Sequence, residues 1–228
     1  VVVTDGLSGS FSGANTQMGK LISELQKSVL KMRMVTIDNV FKRFARPMRD
    51  LASARGKQIE LDIQGGDTEL DRALVDLLYE PLLHLLRNAI DHGLEGQDER
   101  IAGSKPAVGR ISLRAYHEGN QVVVEVSDDG RGLNSNKLKE RALELGTITR
   151  AEADEMEDED AFELIFREGF STSKEITRVS GRGIGASAAK SVVERLRGTV
   201  SVKSHASSGT TFALRMPPHH EQGERHQH

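Results

Sequence analysis

The chain has 228 residues and a formal net charge of −3, with 31 Lys and Arg against 34 Asp and Glu, so bulk electrostatics give no case for a nucleic-acid partner. It contains no cysteine, which excludes disulfides and thiolate metal sites and fits a reducing, cytoplasmic setting. No apolar run approaches the ~20 residues that span a bilayer, and the opening "VVVTDGLSG" lacks the basic start of a signal peptide.

The first residue is not Met, so a fragment of a longer chain is expected. Residues 1–16 are rich in Gly and Ser and are expected to be a flexible lead-in. Met18, Leu21, Ile22, Leu25, Val29 and Met32 then recur at helical spacing, followed by Ile37, Val40, Phe41, Phe44, Met48 and Leu51. They predict a helical region over 17–55, continuous or interrupted near 34–36, with Pro47 as a kink point. Its apolar stripe is broad enough to require something to pack on. "KQIELDI" alternates as a strand does. "GGDT" reads as a turn, with Asp67 capping the next helix, which Pro81 breaks or restarts. Residues 94–109 read as a loop. "GRISLRAY" and "QVVVEVS" flank "HEGN" as a hairpin. A helix is predicted over 136–145, a solvated acidic face over 151–160 and a second helix over 184–196. "GTVSVKSH" and "TTFALRM" give two more strands, and 218–228 reads as a disordered polar tail. The sum is an α+β fold: a two-layer sandwich over 56–217, mostly antiparallel, with helices on one face and a helical arm before it.

The segment "HLLRNAIDHG", residues 84–93, carries unusual chemistry for an apolar helix. At helical spacing His84, Asn88 and His92 share one line with Asp91 beside it, while Leu82, Leu86 and Ala89 occupy another side. Asn88 offers a neutral oxygen suited to Mg²⁺, although a lone helical Asn is most often simply exposed. Downstream, "SDDGRGL" places Asp128, Gly130 and Gly132 after a strand, where a carboxylate can accept from an exocyclic amine and glycines admit a flat ring. "SGRGIGASAAK" then runs Gly181, Gly183 and Gly185 into a helix, a pattern that binds anions through backbone N–H groups. It is neither a Rossmann turn nor a Walker loop. Each motif alone is weak.

In this order the three resemble the ATP-binding domain shared by histidine kinases, type II topoisomerases and Hsp90-type chaperones, a Bergerat-type fold. The wording "PLLHLLRNAIDHGLE", with "GGDTELDR", "FELIFREGFST" and "SGRGIG", is similar to chemotaxis histidine kinases of the CheA type over about residues 20–216. The resemblance implies ATP and Mg²⁺, with a lid over roughly 133–180. It implies Asn88 on the metal, His84 near the γ-phosphate, orienting it or assisting proton removal, and His92 on phosphate, with Arg87 and Asp91 adjoining. Asp128 would read adenine, with Gly130 and Gly132 beside the base and Thr210 near its floor. Lys137 and Arg141 would lie near the phosphates, Ser171 and Lys174 in the lid. Gly181, Arg182, Gly183, Ile184 and Gly185 would wrap the phosphates. Hydrolytic members carry a Glu where this chain has His84.

None of the eight histidines lies in 1–83, so the resemblance implies an acceptor histidine on a separate phosphotransfer domain, then a response regulator, and a homodimer through the arm. Departures from the family pattern are Ala186-Ser187 after the last glycine, Glu168 in the lid's Gly-Phe segment and the place of Lys174. Other readings are a serine kinase of the same fold and a non-catalytic nucleotide-sensing module.

Overall fold

The computed structural model describes residues 5–167, 170 and 186–219. Helix α1 (Asp5–Arg33) ends in a short strand β1 (Met34–Thr36), and helix α2 (Asp38–Ala54) follows. The predicted helical region therefore divides at 34–36. Strand β1 pairs antiparallel with β3 (Glu69–Asp71), so its backbone groups bond across a ladder instead of along a helix. The two helices then differ in role. Helix α2 buries Val40, Phe41, Phe44, Met48 and Ala52 in the main core. Helix α1 leaves Met18, Leu21, Ile22, Leu25, Val29 and Met32 between 47% and 77% exposed. It also reaches back to Asp5, into the expected flexible lead-in. Gly and Ser tax a helix by only about 1 kcal/mol each at most, which composition alone cannot turn into a boundary.

Helix α3 (Arg72–Asn88) begins at Asp71, whose carboxylate accepts from the Ala73 N–H at 2.9 Å. Asp71 and not Asp67 is the cap, because β3 separates the "GGDT" turn from the helix. Pro81 lies inside α3 and does not break it. A proline in a helix interior costs about 3 kcal/mol, and burial of Pro81 with Leu74, Leu78, Leu82 and Leu85 offsets that. A π-helical turn (Ala89–Gly93) ends the element, with the Leu94 N–H on the Ala89 carbonyl at 2.8 Å.

Among the described residues the main sheet runs β2 (Ile59–Gln64), β4 (Gly109–Glu118), β5 (Gln121–Asp128), β7 (Gly209–Met216), β6 (Thr199–His205). Only β2 and β4 pair in parallel; the other neighbours are antiparallel. Alternate residues Ile111, Leu113 and Ala115, Val122, Val124 and Val126, and Phe212, Leu214 and Met216 enter the core. Helices α2, α3 and α8 (Ala186–Arg195) pack there, while Ser112, Arg114, Glu125 and Ser127 on the other face remain at least partly exposed. The result is the expected two-layer α+β sandwich. The expected loop 94–109 contains helix α4 (Gln97–Ala102). The described part of the expected lid holds helices α5 (Ser135–Glu144), α6 (Arg150–Glu155) and α7 (Asp158–Glu163) around a second cluster of Ala142, Ile148, Ala153, Ala161, Leu164 and Phe170. At the far end, the Pro218 carbonyl accepts from the Asp71 N–H at 2.9 Å, so the chain is tied there and not loose from 218 as expected. Residues 220–228 lie outside the described residues.

Phe44 is fully buried and stacks on Tyr79 with ring centroids 5.1 Å apart. Phe44→Ala should cost about 3–5 kcal/mol in urea denaturation; a loss below about 1 kcal/mol would mean that α2 stands outside the core.

Candidate functional site

Helix α3 presents its apolar side to the sheet and turns His84 and Asn88 away from it. The Asn88 side-chain amide donates to His84 Nε2 at 2.8 Å. Burial, aided by the charges of Arg87 and His92, lowers the His84 pKa to about 4. The ring is therefore neutral at pH 7, and Nε2 is an acceptor. With Nδ2 engaged, the Asn88 carbonyl oxygen is left for another partner.

The π turn is held from the α2–β2 junction. Lys57 Nζ donates to the carbonyls of Ile90 at 2.5 Å, Leu94 at 2.9 Å and Asp91 at 3.4 Å. Burial and the charge of Arg131 lower the Lys57 pKa. Arg55 Nε meets Asp91 Oδ1 at 2.7 Å. Gly93 then meets the end of β5: its carbonyl accepts from the Arg131 N–H at 3.0 Å. A Cβ on Gly130 would come within 2.2 Å of that carbonyl oxygen, so only glycine fits there. Gly132 has φ +74 and a Cβ on it would meet the His205 carbonyl at 2.3 Å.

Asp128 closes β5. Its Oδ1 accepts from the Gly130 N–H at 2.9 Å, and Thr210 is its partner in the β5–β7 ladder. Burial raises the Asp128 pKa to about 6; backbone bonds from Gly130 and Thr210 oppose the shift, and the charges of Asp129 and Glu95 add to it. Next to it lies a buried ionic network. Arg100 is 1% exposed and pairs with Glu95 at 3.0 Å and Asp129 at 2.7 Å. Lys105 pairs with Glu95 at 2.7 Å. Burial alone would raise the Glu95 pKa; the hydrogen bond from Lys105, a backbone bond and the two cations outweigh it and hold the carboxyl below its ordinary value.

These elements surround a cavity of about 400 Å³. Asn88, His92, Asp128, Gly132, Lys137, Arg141 and Thr210 line it, seven of the residues singled out in the sequence and drawn from separate segments. The remaining wall is largely apolar: Ala89, Leu133, Leu138, Ile165, Phe170 and Phe212. Lys137 and Arg141 come from α5, whose first turn is capped by the Asn134 side chain on the Lys137 N–H at 3.0 Å. Arg141 Nη1 bonds Glu144 at 2.8 Å, while its buried Nε has no hydrogen-bond partner among the described residues. One partly protonated acid, apolar walls and two cations suit a ligand with a flat polar ring and an anionic tail.

His84 reaches this cavity through Asn88, and Gly130 through its packing on Gly93. Arg87 and Asp91 are not among the lining residues; Asp91 faces Arg55. Ser171, Lys174, Gly181, Arg182, Gly183, Ile184 and Gly185 lie outside the described residues. Sequence reasoning missed Lys57, Glu95, Arg100 and Lys105. In a sequence, charged residues beside Gly and Pro read as solvated loop. The six residues of α4 give no apolar pattern to mark Arg100, since α4 buries that arginine and leaves Ile101 57% exposed.

The family profile described as histidine kinase-, DNA gyrase B-, and HSP90-like ATPase matches residues 73–220. Chemotaxis protein CheA of Bacillus subtilis (strain 168) is 47% identical over 201 residues, covering 88% of this chain and 30% of that protein. Sensor histidine kinase CheAY of Helicobacter pylori is 44% identical over 202 residues, covering 89% of this chain and 25% of its own length. Chemotaxis protein CheA of Treponema pallidum is 42% identical over 207 residues, covering 91% and 25%. The chain thus spans between a quarter and a third of the length of these relatives. No described helix is long and apolar enough to cross a membrane. With a cavity lined by Asn88 of the first motif and Asp128 of the second, the chain belongs to the histidine kinase-, DNA gyrase B- and HSP90-like ATPase family, and within it resembles the CheA proteins.

Proposed function

We propose that this chain is the ATP-binding catalytic core of a protein histidine kinase. It transfers the γ-phosphoryl group of ATP to a histidine on a separate phosphotransfer domain, which in turn feeds a response regulator. The observation that carries this reading is that Asn88, Asp128, Lys137, Arg141 and Thr210 line the same cavity.

Asp128 accepts from the exocyclic amine of adenine, and Gly132 lies along the ring. Lys137 and Arg141, which line the cavity, meet the phosphates. The residues present fit Mg²⁺: Asn88 supplies a neutral oxygen that His84 does not occupy. The ion would be held by Asn88, phosphate oxygens and water, and would neutralise charge on the phosphates. Phosphoryl transfer demands mainly positioning and charge neutralisation. A nitrogen of the acceptor imidazole bonds to the γ-phosphorus as the bond to the β,γ-bridging oxygen breaks; ADP leaves, and the imidazole proton passes to solvent. The histidine-free stretch 1–83 supports an acceptor outside this segment. His84 holds the Asn88 amide in place. Its low pKa favours an orienting role over that of a general base, which works best with a pKa near the operating pH. The exposed apolar stripe of α1 supports a homodimer through that helix.

Incubation with labelled ATP, Mg²⁺ and a separate phosphotransfer domain tests the activity directly. Label on a histidine is expected; label on serine, or binding without transfer, would replace this reading by a serine kinase or a nucleotide sensor. His84→Ala should slow transfer about a hundredfold while changing ATP affinity much less; equal losses would make His84 a binding residue only.

A second outcome concerns pH. The folded pKa of Asp128, about 6, exceeds its ordinary value of 3.8. Its burial is thus harmless below about pH 4, where both states are protonated, and destabilising in full above about pH 6. Asp128→Asn should raise the melting temperature of the ligand-free protein at pH 7 by about 5 °C, with no gain at pH 4. In the unaltered protein ATP affinity should fall as pH drops through about 6, and the variant should lose that dependence. Calorimetry and titration across pH 4–8 check both. For the dimer, Leu25→Glu should shift sedimentation to a monomer without lowering ATP affinity.

A further inference from the structure

The excursion between the π turn and β4 contains α4 and returns through Ser104, which has φ 60 although it is not glycine. That left-handed residue is uncommon and unfavourable for a side chain. Its effect is to fold the chain back so that the Lys105 N–H bonds the Arg100 carbonyl at 2.9 Å and the Lys105 ammonium enters the ionic network. There it has three acceptors: Glu95 Oε1 at 2.7 Å, the Asp129 carbonyl at 2.8 Å and the Gly130 carbonyl at 2.7 Å. An ammonium has three protons, so the group is saturated and has none left for a ligand. Arg100 grips the same turn from its other side, with Nη2 on Asp129 Oδ2 at 2.7 Å and Nη1 on Glu95 Oε2 at 3.0 Å. Asp129 Oδ1 takes the Arg110 N–H at 2.9 Å. Glu95 therefore links both cations to the end of the π turn, two residues after Gly93. Nothing in this network lines the cavity, yet all of it converges on the two residues that follow Asp128.

We propose that Lys105, with Glu95 and Arg100, is a positioning residue for base recognition. It fixes the Asp129–Gly130 turn so that the Asp128 carboxylate and Gly132 stay aimed into the cavity. This rests on Asp128 being the acceptor for the adenine amine. The network sets specificity for the base and leaves the phosphate-binding side, built on α5, untouched.

The test is a thermodynamic cycle on the whole chain, with ATP and inorganic tripolyphosphate as probes. Lys105→Ala should weaken ATP about tenfold and leave tripolyphosphate unchanged, and in the Asp128→Asn background it should add less than about twofold, because the two act as one unit. Equal weakening of ATP and tripolyphosphate would reduce Lys105 to a general structural role. A full tenfold loss in the Asp128→Asn background would show that Lys105 does not act through Asp128. Either result overturns the proposal, as does an unchanged ATP affinity in Lys105→Ala when Asp128→Asn is impaired. If Asp128→Asn alone binds ATP normally, the reading of Asp128 as base acceptor fails, and this inference with it. Should Lys105→Ala not fold, Lys105→Gln carries the same measurements.

Discussion

The 3.6-residue period of α3 is the constraint on which the rest depends. One helix must bury Leu78, Leu82, Leu85 and Leu86 against the sheet and also point His84 and Asn88 outward into chemistry. Spacing alone makes the two demands compatible. Positions four apart share a face, so the polar pair is set one turn apart and bonded to itself, while the leucines pack behind it. The core fixes how the helix is rotated about its axis, and that rotation fixes Asn88. A functional group on a packed helix inherits the precision of the packing.

The opposite wall rests on charge. Arg100, Glu95, Lys105 and Asp129 form a network of zero net charge with Arg100 and Glu95 buried at its centre. Such a network adds little net stability, because desolvation nearly cancels attraction, but removing one member leaves a buried charge and costs about 3–5 kcal/mol. Its worth is therefore geometric. Asp128 lies beside it with a carboxyl that burial makes reluctant to ionise. Above about pH 6 that burial works against the stability of the fold.

Much of this was legible in the sequence, and the reasons differ by element. The hairpin of β4 and β5 and the pair of β6 and β7 showed because alternating Val, Leu and Phe mark a half-buried strand. Asn88 and Asp128 reach one cavity because the first lies on a strongly periodic helix and the second at the end of a strand. Short-range signals failed where distant partners decide. Strand β3 has three residues and exists through its pairing with β1. The difference between α1 and α2 was invisible, since both carry apolar stripes and only tertiary contact buries the second. The small core formed by α5, α6 and α7 was hidden within an acidic composition. Glu95, Arg100 and Lys105 could not be told from loop charges, because burial of a charge depends on partners that a linear reading does not bring together.

The π turn at Ala89–Gly93 has one more consequence. With a bond from Leu94 back five residues to Ala89, the chain winds more slowly here than in α3. It acts as a vernier between two rigid scales, the helix and the sheet. The extra residue delays His92 and Gly93 in azimuth, so that the Gly93 carbonyl comes round to meet Arg131 and to sit against Gly130. Removing one residue from this stretch would restore the ordinary pitch and leave Asn88 where it is, while swinging the end of the helix out of mesh with β5.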